Sequence, residues 1–108
     1  MAVAASALSV IYITRDAGRL LRASLRSIVP LGAEIVLVDS GSTDDTLAIA
    51  TEMGVKIIHR PWHGFAAQRQ FAVESAENDW ILVLDADEIL RDQARSAIVD
   101  VVRSGDYN

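Results

Sequence analysis

Apolar residues along the chain gather in four short runs, Leu8 to Ile13, Glu34 to Val38, Val55 to His59 and Trp80 to Leu84. A longer stretch with helical spacing follows each run, and this alternation predicts β-α-β units around a parallel sheet. Three of the runs are nearly continuous Val, Ile and Leu, as suits central strands covered on both faces. The expected fold class is α/β, a Rossmann-like αβα sandwich with a mostly parallel sheet that stops after about four β-α units.

Asp16 is placed to cap a first helix, with Leu21, Leu25 and Ile28 on one face and Arg19, Arg22 and Arg26 on another. Pro30 and Gly32 end it. Ser42 or Thr43 is placed to cap a second helix carrying Leu47, Ala50 and Met53. Asp44 and Asp45 then fall in its first turn, where the macrodipole favours anions, and Gly54 supplies the stop. A third helix, from about Gly64 to Ala76, should turn Phe65, Ala72 and Ala76 to the sheet and leave Arg69 nearer the sheet's edge. In a fourth, Asp92 to Val102, the residues Ala94, Ala97, Ile98, Val101 and Val102 fall at helical spacing. The stretch from Met1 to Leu8 is apolar but lacks a basic start, so it reads as a flexible lead into a strand and not as a signal peptide. Gly105 to Asn108 stands where another strand can begin.

Composition narrows the classes of function. With 51% hydrophobic and 23% charged residues in 108, the chain suits one compact domain and excludes intrinsic disorder. Gripping both a donor and an acceptor usually takes more chain, so a fragment fits. A net charge of -5 and a single lysine, Lys56, argue against nucleic acid as a partner. The absence of cysteine removes disulfides and thiolate zinc sites, and leaves cytoplasm as the default compartment. No segment reaches the roughly 18 apolar residues of a membrane span.

Ligands of an open parallel sheet bind beyond the carboxyl ends of its strands, so the residues after each run carry the candidate chemistry. They are Thr14-Arg15-Asp16, Asp39-Ser40-Gly41-Ser42-Thr43-Asp44, Arg60-Pro61-Trp62-His63-Gly64 and Asp85-Ala86-Asp87-Glu88. Asp85 and Asp87, separated by a small residue at a strand end, can aim two carboxylates into one space. That donor set suits Mg²⁺ or Mn²⁺, which take one or two carboxylates together with substrate phosphates. An Asp-x-Asp tripeptide is common, and its weight comes from its place after a buried strand. Asp39 can accept a base N–H or a ribose hydroxyl, whereas an ordinary turn and cap account for Ser42 and Thr43.

Other candidates are weaker. His59 and His63 are four apart, but Pro61 breaks any helix that would align them. Arg69 can reach a diphosphate or base from its helix, with a solvated arginine as the alternative. Trp62 and Phe65 can flank a sugar or base, or pack under the loop.

Taken in order, these motifs resemble the family 2 glycosyltransferases of the GT-A fold along almost the whole chain. Val10-Ile11-Tyr12-Ile13-Thr14 is similar to the family's opening strand, Ile35-Val36-Leu37-Val38-Asp39-Ser40-Gly41-Ser42-Thr43-Asp44 to its second-strand signature, and Asp85-Ala86-Asp87-Glu88 to its Asp-x-Asp motif. The segment His59 to Arg69 resembles bacterial enzymes that glucosylate the lipopolysaccharide core. The resemblance implies that Thr14 and Asp39 contact the nucleotide base, that Arg69 lies near base or phosphates, that Asp85 reaches the ribose region and that Asp87 is the metal ligand. It implies a UDP-sugar donor, a saccharide or glycolipid acceptor, an inverting displacement, and work at the inner face of the cell membrane through regions absent here. On this basis residues 1–108 form the donor-binding part of the domain, inactive alone, and the acceptor part with the catalytic base lies beyond Asn108.

One departure stands out: where many relatives carry Asn-Glu after the strand-one threonine, this chain has Arg15-Asp16. The alternative from another class is a stand-alone nucleotide-sugar-binding module without transfer activity. A response-regulator-like domain would need a lysine after its last strand, and Lys56 lies within the third run. A nucleotidyltransferase would need a Gly-rich basic loop in place of Thr14-Arg15-Asp16.

Overall fold

The computed structural model describes residues 7–104, and the lead before Ala7 and the tail from Gly105 lie outside the described residues. The strands are β1 (Leu8–Thr14), β2 (Glu34–Asp39), β3 (Lys56–His59) and β4 (Trp80–Leu84). They alternate with helices α1 (Gly18–Ile28), α2 (Thr46–Glu52), α3 (Phe65–Ser75) and α4 (Asp92–Ser104), and one 3₁₀ turn, Val29–Leu31, follows α1. All pairings are parallel, in the order β3-β2-β1-β4. The chain therefore steps outward from β1 to β3 and then crosses back to lay β4 on the other side of β1. That reversal is the topological switch point of the sheet.

Each face of the sheet has its own core. Val10 and Tyr12 of β1 and Leu37 of β2 meet Leu21, Leu25 and Ile28 of α1, Ile49 and Ala50 of α2, and Val102 of α4. The intervening residues Ile11, Val36 and Val38 face the other way, against Ala72 of α3. This alternation explains why β1 and β2 are apolar at successive positions. Each fully buried leucine of α1 contributes about 2 kcal/mol through its removal from water.

Tyr12 is fully buried, and its hydroxyl shares a 2.8 Å hydrogen bond with the Ser24 hydroxyl of α1. Burial is the main reason its pKa is pushed up to about 12, with the Glu88 carboxylate adding to the rise and the Ser24 bond opposing it. The native state thus holds this proton where the unfolded chain releases it. Stability should be unaffected by Tyr12 below pH 10 and fall as pH rises from about 10 towards 12. Urea midpoints measured across that range should drop less in Tyr12→Phe than in the parent; equal losses would remove Tyr12 as the cause.

Among the described residues β4 pairs with β1 alone, and Val83 is 37% exposed. Its apolar side chains line, with α4, an open groove of about 260 Å³ between Trp80, Leu82, Ile98 and Val101. Phe65 does not face the sheet but is 49% exposed at the start of α3, its ring beneath the Arg69 guanidinium at 5.3 Å. The inward position one turn later belongs to Gln68, fully buried because its side chain both accepts from Arg60 Nε and donates to the Arg60 carbonyl. Val101 is 42% exposed, and Ala97 is exposed as well, so α4 covers the sheet chiefly through Val102, Ile98 and Val99.

Candidate functional site

Because the sheet is parallel, the four strand ends share one edge. Thr14, Asp39 and His59 stand in register there, and Leu84 delivers Asp85 beside β1. Thr14 and Asp39 are brought together directly: the Thr14 hydroxyl donates to Asp39 Oδ1 at 2.7 Å, and both residues are buried. The Ser42 hydroxyl donates to the same oxygen, while the Gly41 and Ser42 amides donate to Oδ2 at 2.9 and 2.8 Å. Gly41 closes this tight turn at φ 119°, which suits a residue without a side chain. Burial pushes the Asp39 carboxyl up, but the four donors outweigh it and hold its pKa below the ordinary aspartate value. In this structure the carboxylate's acceptor positions are filled from within the protein.

The next residues lock the β1–α1 and β2–α2 loops to each other. Asp16 does not cap its own helix. It adopts φ 52°, and its Oδ1 accepts the Thr43 and Asp44 amides at 2.6 and 3.2 Å. Ala17 takes the N-cap position of α1 without a side-chain bond. In return, the Asp44 carboxylate accepts the Gly18 amide at 3.0 Å, and the Thr46 hydroxyl accepts the Ala17 amide at 2.9 Å. A side chain on Gly18 would run into the Asp45 carboxylate, so the two helix starts are in close approach. Ser42 and Thr43 do not cap α2: that helix begins at Thr46 with Asp45 as N-cap and no acidic residue in its first turn. Local capping propensity gives way here to a reciprocal bond set between two loops.

At the switch point between β1 and β4 lies an open groove of about 460 Å³. Arg15, Arg19 and Leu20, from the end of β1 into α1, line it together with Asp85, Ala86 and Asp87, which follow β4. The acidic pair is set by a tight turn in which the Glu88 amide donates to the Asp85 carbonyl at 2.9 Å and the Asp85 amide to Glu88 Oε1 at 2.7 Å. Glu88 is thereby committed to holding the turn, while Asp85 and Asp87 remain exposed. Neither enters an ion pair among the described residues.

Among the described residues there is no group of three or more His, Cys, Asp or Glu side chains able to hold a metal ion. Two exposed carboxylates in a groove fit a hard divalent cation whose remaining ligands come from phosphate and water. His59 and His63 are both exposed. Arg69 is exposed on α3 and is not among the residues lining the groove. Of the two groove arginines, Arg15 lies in the strand-end segment Thr14-Arg15-Asp16 that the sequence marks as carrying chemistry, whereas Arg19 reads from its spacing with Arg22 and Arg26 as a solvated helix face.

Known proteins place these features in context. A model described as Glycosyl transferase family 2 matches residues 9–108. An uncharacterized glycosyltransferase of Rickettsia felis is 40% identical over 91 residues, spanning 84% of this chain and 32% of that protein. The lipopolysaccharide core biosynthesis glycosyltransferase LpsC of Rhizobium meliloti is 38% identical over 79 residues, spanning 68% of this chain and 29% of LpsC. The chain thus spans about a third of the length of these relatives. In fold it is similar to TarS residues 1–349 of S. aureus, with a TM-score of 0.78 and 23% identity over 90% of this chain and 32% of TarS. It is also similar to the glucosyl-3-phosphoglycerate synthase of Mycobacterium tuberculosis solved with Mn²⁺, uridine diphosphate and phosphoglyceric acid. There the TM-score is 0.66 and the identity 25%, over 76% of this chain and 33% of the synthase. The α/β sheet is therefore the GT-A arrangement that the motifs implied, and the chain belongs to glycosyltransferase family 2.

Proposed function

We propose that the chain is the donor-binding part of an inverting, metal-dependent glycosyltransferase that takes a hexose from UDP-hexose and delivers it to a glycan or lipopolysaccharide-core acceptor. The observation that carries this function is the pair Asp85 and Asp87, exposed and outside any ion pair among the described residues, in a groove at the sheet's switch point. A parallel sheet presents ligands there for a physical reason: strand ends from both sides of the reversal part to leave a crevice. Asp87 would hold Mg²⁺ or Mn²⁺, and Asp85 would reach the donor's ribose region. A divalent cation so held supplies Lewis-acid neutralisation of the departing diphosphate. The Mn²⁺ and uridine diphosphate in the similar synthase support this choice of metal and nucleotide.

The chain's own residues orient the donor. Thr14 and Asp39 fix the edge at which the base would lie. For Asp39 to accept a base N–H, one of its four donors must leave. Arg69 would approach the base or phosphates from α3. The likeness to LpsC supports a lipopolysaccharide-core acceptor. The proton of the acceptor hydroxyl would pass to a carboxylate outside the residues described here, since Glu88 is held by the turn.

Titration calorimetry tests this function directly. Uridine diphosphate should bind in the presence of Mn²⁺, bind at least about tenfold more weakly in EDTA, and bind more tightly than uridine. Absence of binding, or affinity unchanged by EDTA, would overturn the metal-diphosphate assignment. A full-length protein that binds in this way but transfers no sugar would be a nucleotide-sugar-binding module instead.

A further inference from the structure

We propose that Arg15 and Arg19 hold the donor's diphosphate, gripping its phosphate oxygens across the groove from Asp85 and Asp87; this rests on the donor-binding role proposed above. All four residues line the same cavity of about 460 Å³. Yet among the described residues the ion pairs are Arg22 with Glu52 and Arg95 with Asp92, and neither groove arginine nor groove aspartate joins one. Residues of opposite charge that line one groove without pairing suit a ligand carrying both signs.

A divalent cation bound to a diphosphate ester is such a ligand. Its cation balances the two carboxylates, and its two phosphate charges balance the two arginines. The sum over groove and ligand is close to neutral, which is the condition for bringing charge into a partly desolvated site. Arginine also matches phosphate geometry, because its planar fork donates two parallel N–H bonds.

The usual alternative for an anion at a strand-to-helix turn is the helix N-terminus. Here the amides leading into α1 are committed. The Asp16 amide donates to the Ser42 hydroxyl, the Ala17 amide to Thr46 and the Gly18 amide to Asp44. With those amides committed, the guanidinium groups of Arg15 and Arg19 are the cationic side chains of the groove that can supply positive charge for the phosphates. The same bonds fix the backbone on the helix side of Arg15 through the left-handed turn at Asp16, so its departure from the chain is set before ligand arrives.

Calorimetry on four proteins tests the assignment: the parent, Arg15→Gln with Arg19→Gln, Arg15→Lys with Arg19→Lys, and Asp87→Ala. Each is titrated with uridine diphosphate in Mn²⁺ and with uridine. The glutamine pair is expected to lose about tenfold or more in diphosphate affinity with uridine binding unchanged, and the lysine pair to lose less. Both arginines are exposed, and an unchanged urea midpoint confirms that the variants fold. If the glutamine pair binds uridine diphosphate within twofold of the parent while Asp87→Ala does not, the arginines are solvated and only this proposal falls. If the parent fails to bind at all, the donor-binding role falls and this proposal with it. Equal weakening of uridine and uridine diphosphate would also overturn it, since that pattern locates the arginines at the nucleoside.

Discussion

Asp39→Ala is expected to destabilise the protein by about 4 kcal/mol, the largest single effect foreseen for a polar residue here. Truncation removes the acceptor for Thr14 and Ser42 hydroxyls and for the Gly41 and Ser42 amides, and Asp39 itself is fully buried. The amides have no alternative partner without rebuilding the turn. Asp39→Asn should cost less, about 2 kcal/mol. Its oxygen can face the two amides while its NH₂ donates to the two hydroxyls, which rotate to accept, and what is lost is the charge. The sign of the pH dependence follows from the depressed native pKa. Stabilisation by the carboxylate is complete above the unfolded value of about 3.9 and is lost as pH falls through the lower native value. Urea denaturation from pH 7 down to acid should show a shallower loss in Asp39→Asn than in the parent. Glu34 and Glu52, also held below their ordinary pKa, keep the remaining slope from vanishing. An Asp39→Ala protein within 1 kcal/mol of the parent would mean that this turn is held by something other than its carboxylate.

For ligand binding, the largest expected effect is at Asp87. In Mn²⁺, Asp87→Asn should weaken uridine diphosphate binding roughly 100-fold, about 2.7 kcal/mol, down to the level the parent shows in EDTA. In EDTA the parent and variant should bind alike, because the residue acts through the cation. Asp85→Asn should behave differently: contact with the ribose region predicts weaker binding both with and without metal. Calorimetry of both variants under both conditions gives the four comparisons required. Full Mn²⁺ enhancement in Asp87→Asn would remove Asp87 from the metal site.

The sheet was legible because parallel strands buried on both faces are written as apolar runs, and β1 and β2 are such runs. Trp80 to Leu84 is such a run too, and it forms β4 beside β1. Asp16 looked like a cap because capping is a local pattern. Its actual partners, Thr43 and Asp44, are 27 and 28 residues away, and no spacing rule reaches that far. Gln68 went unremarked for the opposite reason: a glutamine in a helix reads as surface until Arg60 is known to satisfy its amide. Of the candidate site, Asp85 and Asp87 were readable from their place after a strand. Arg15 shares such a place after β1, whereas Arg19 reads as helix surface, because its spacing does not tell what lies across the switch point.

The crossing that creates the switch point also sets an order of assembly. β1 pairs with β2 across a short loop of sequence, whereas β4 pairs with β1 in a register that sets Leu8 opposite Trp80, and the Asn78 side chain reaches back to the Leu8 carbonyl over 70 residues. Closing so long a loop comes late when folding rates follow contact order. The acidic residues of the groove follow β4, while the basic ones belong to the first β-α unit. A nascent chain that has released only its first three β-α units would hold the basic residues of the groove without the acidic ones, and the two become one site only when β4 pairs with β1.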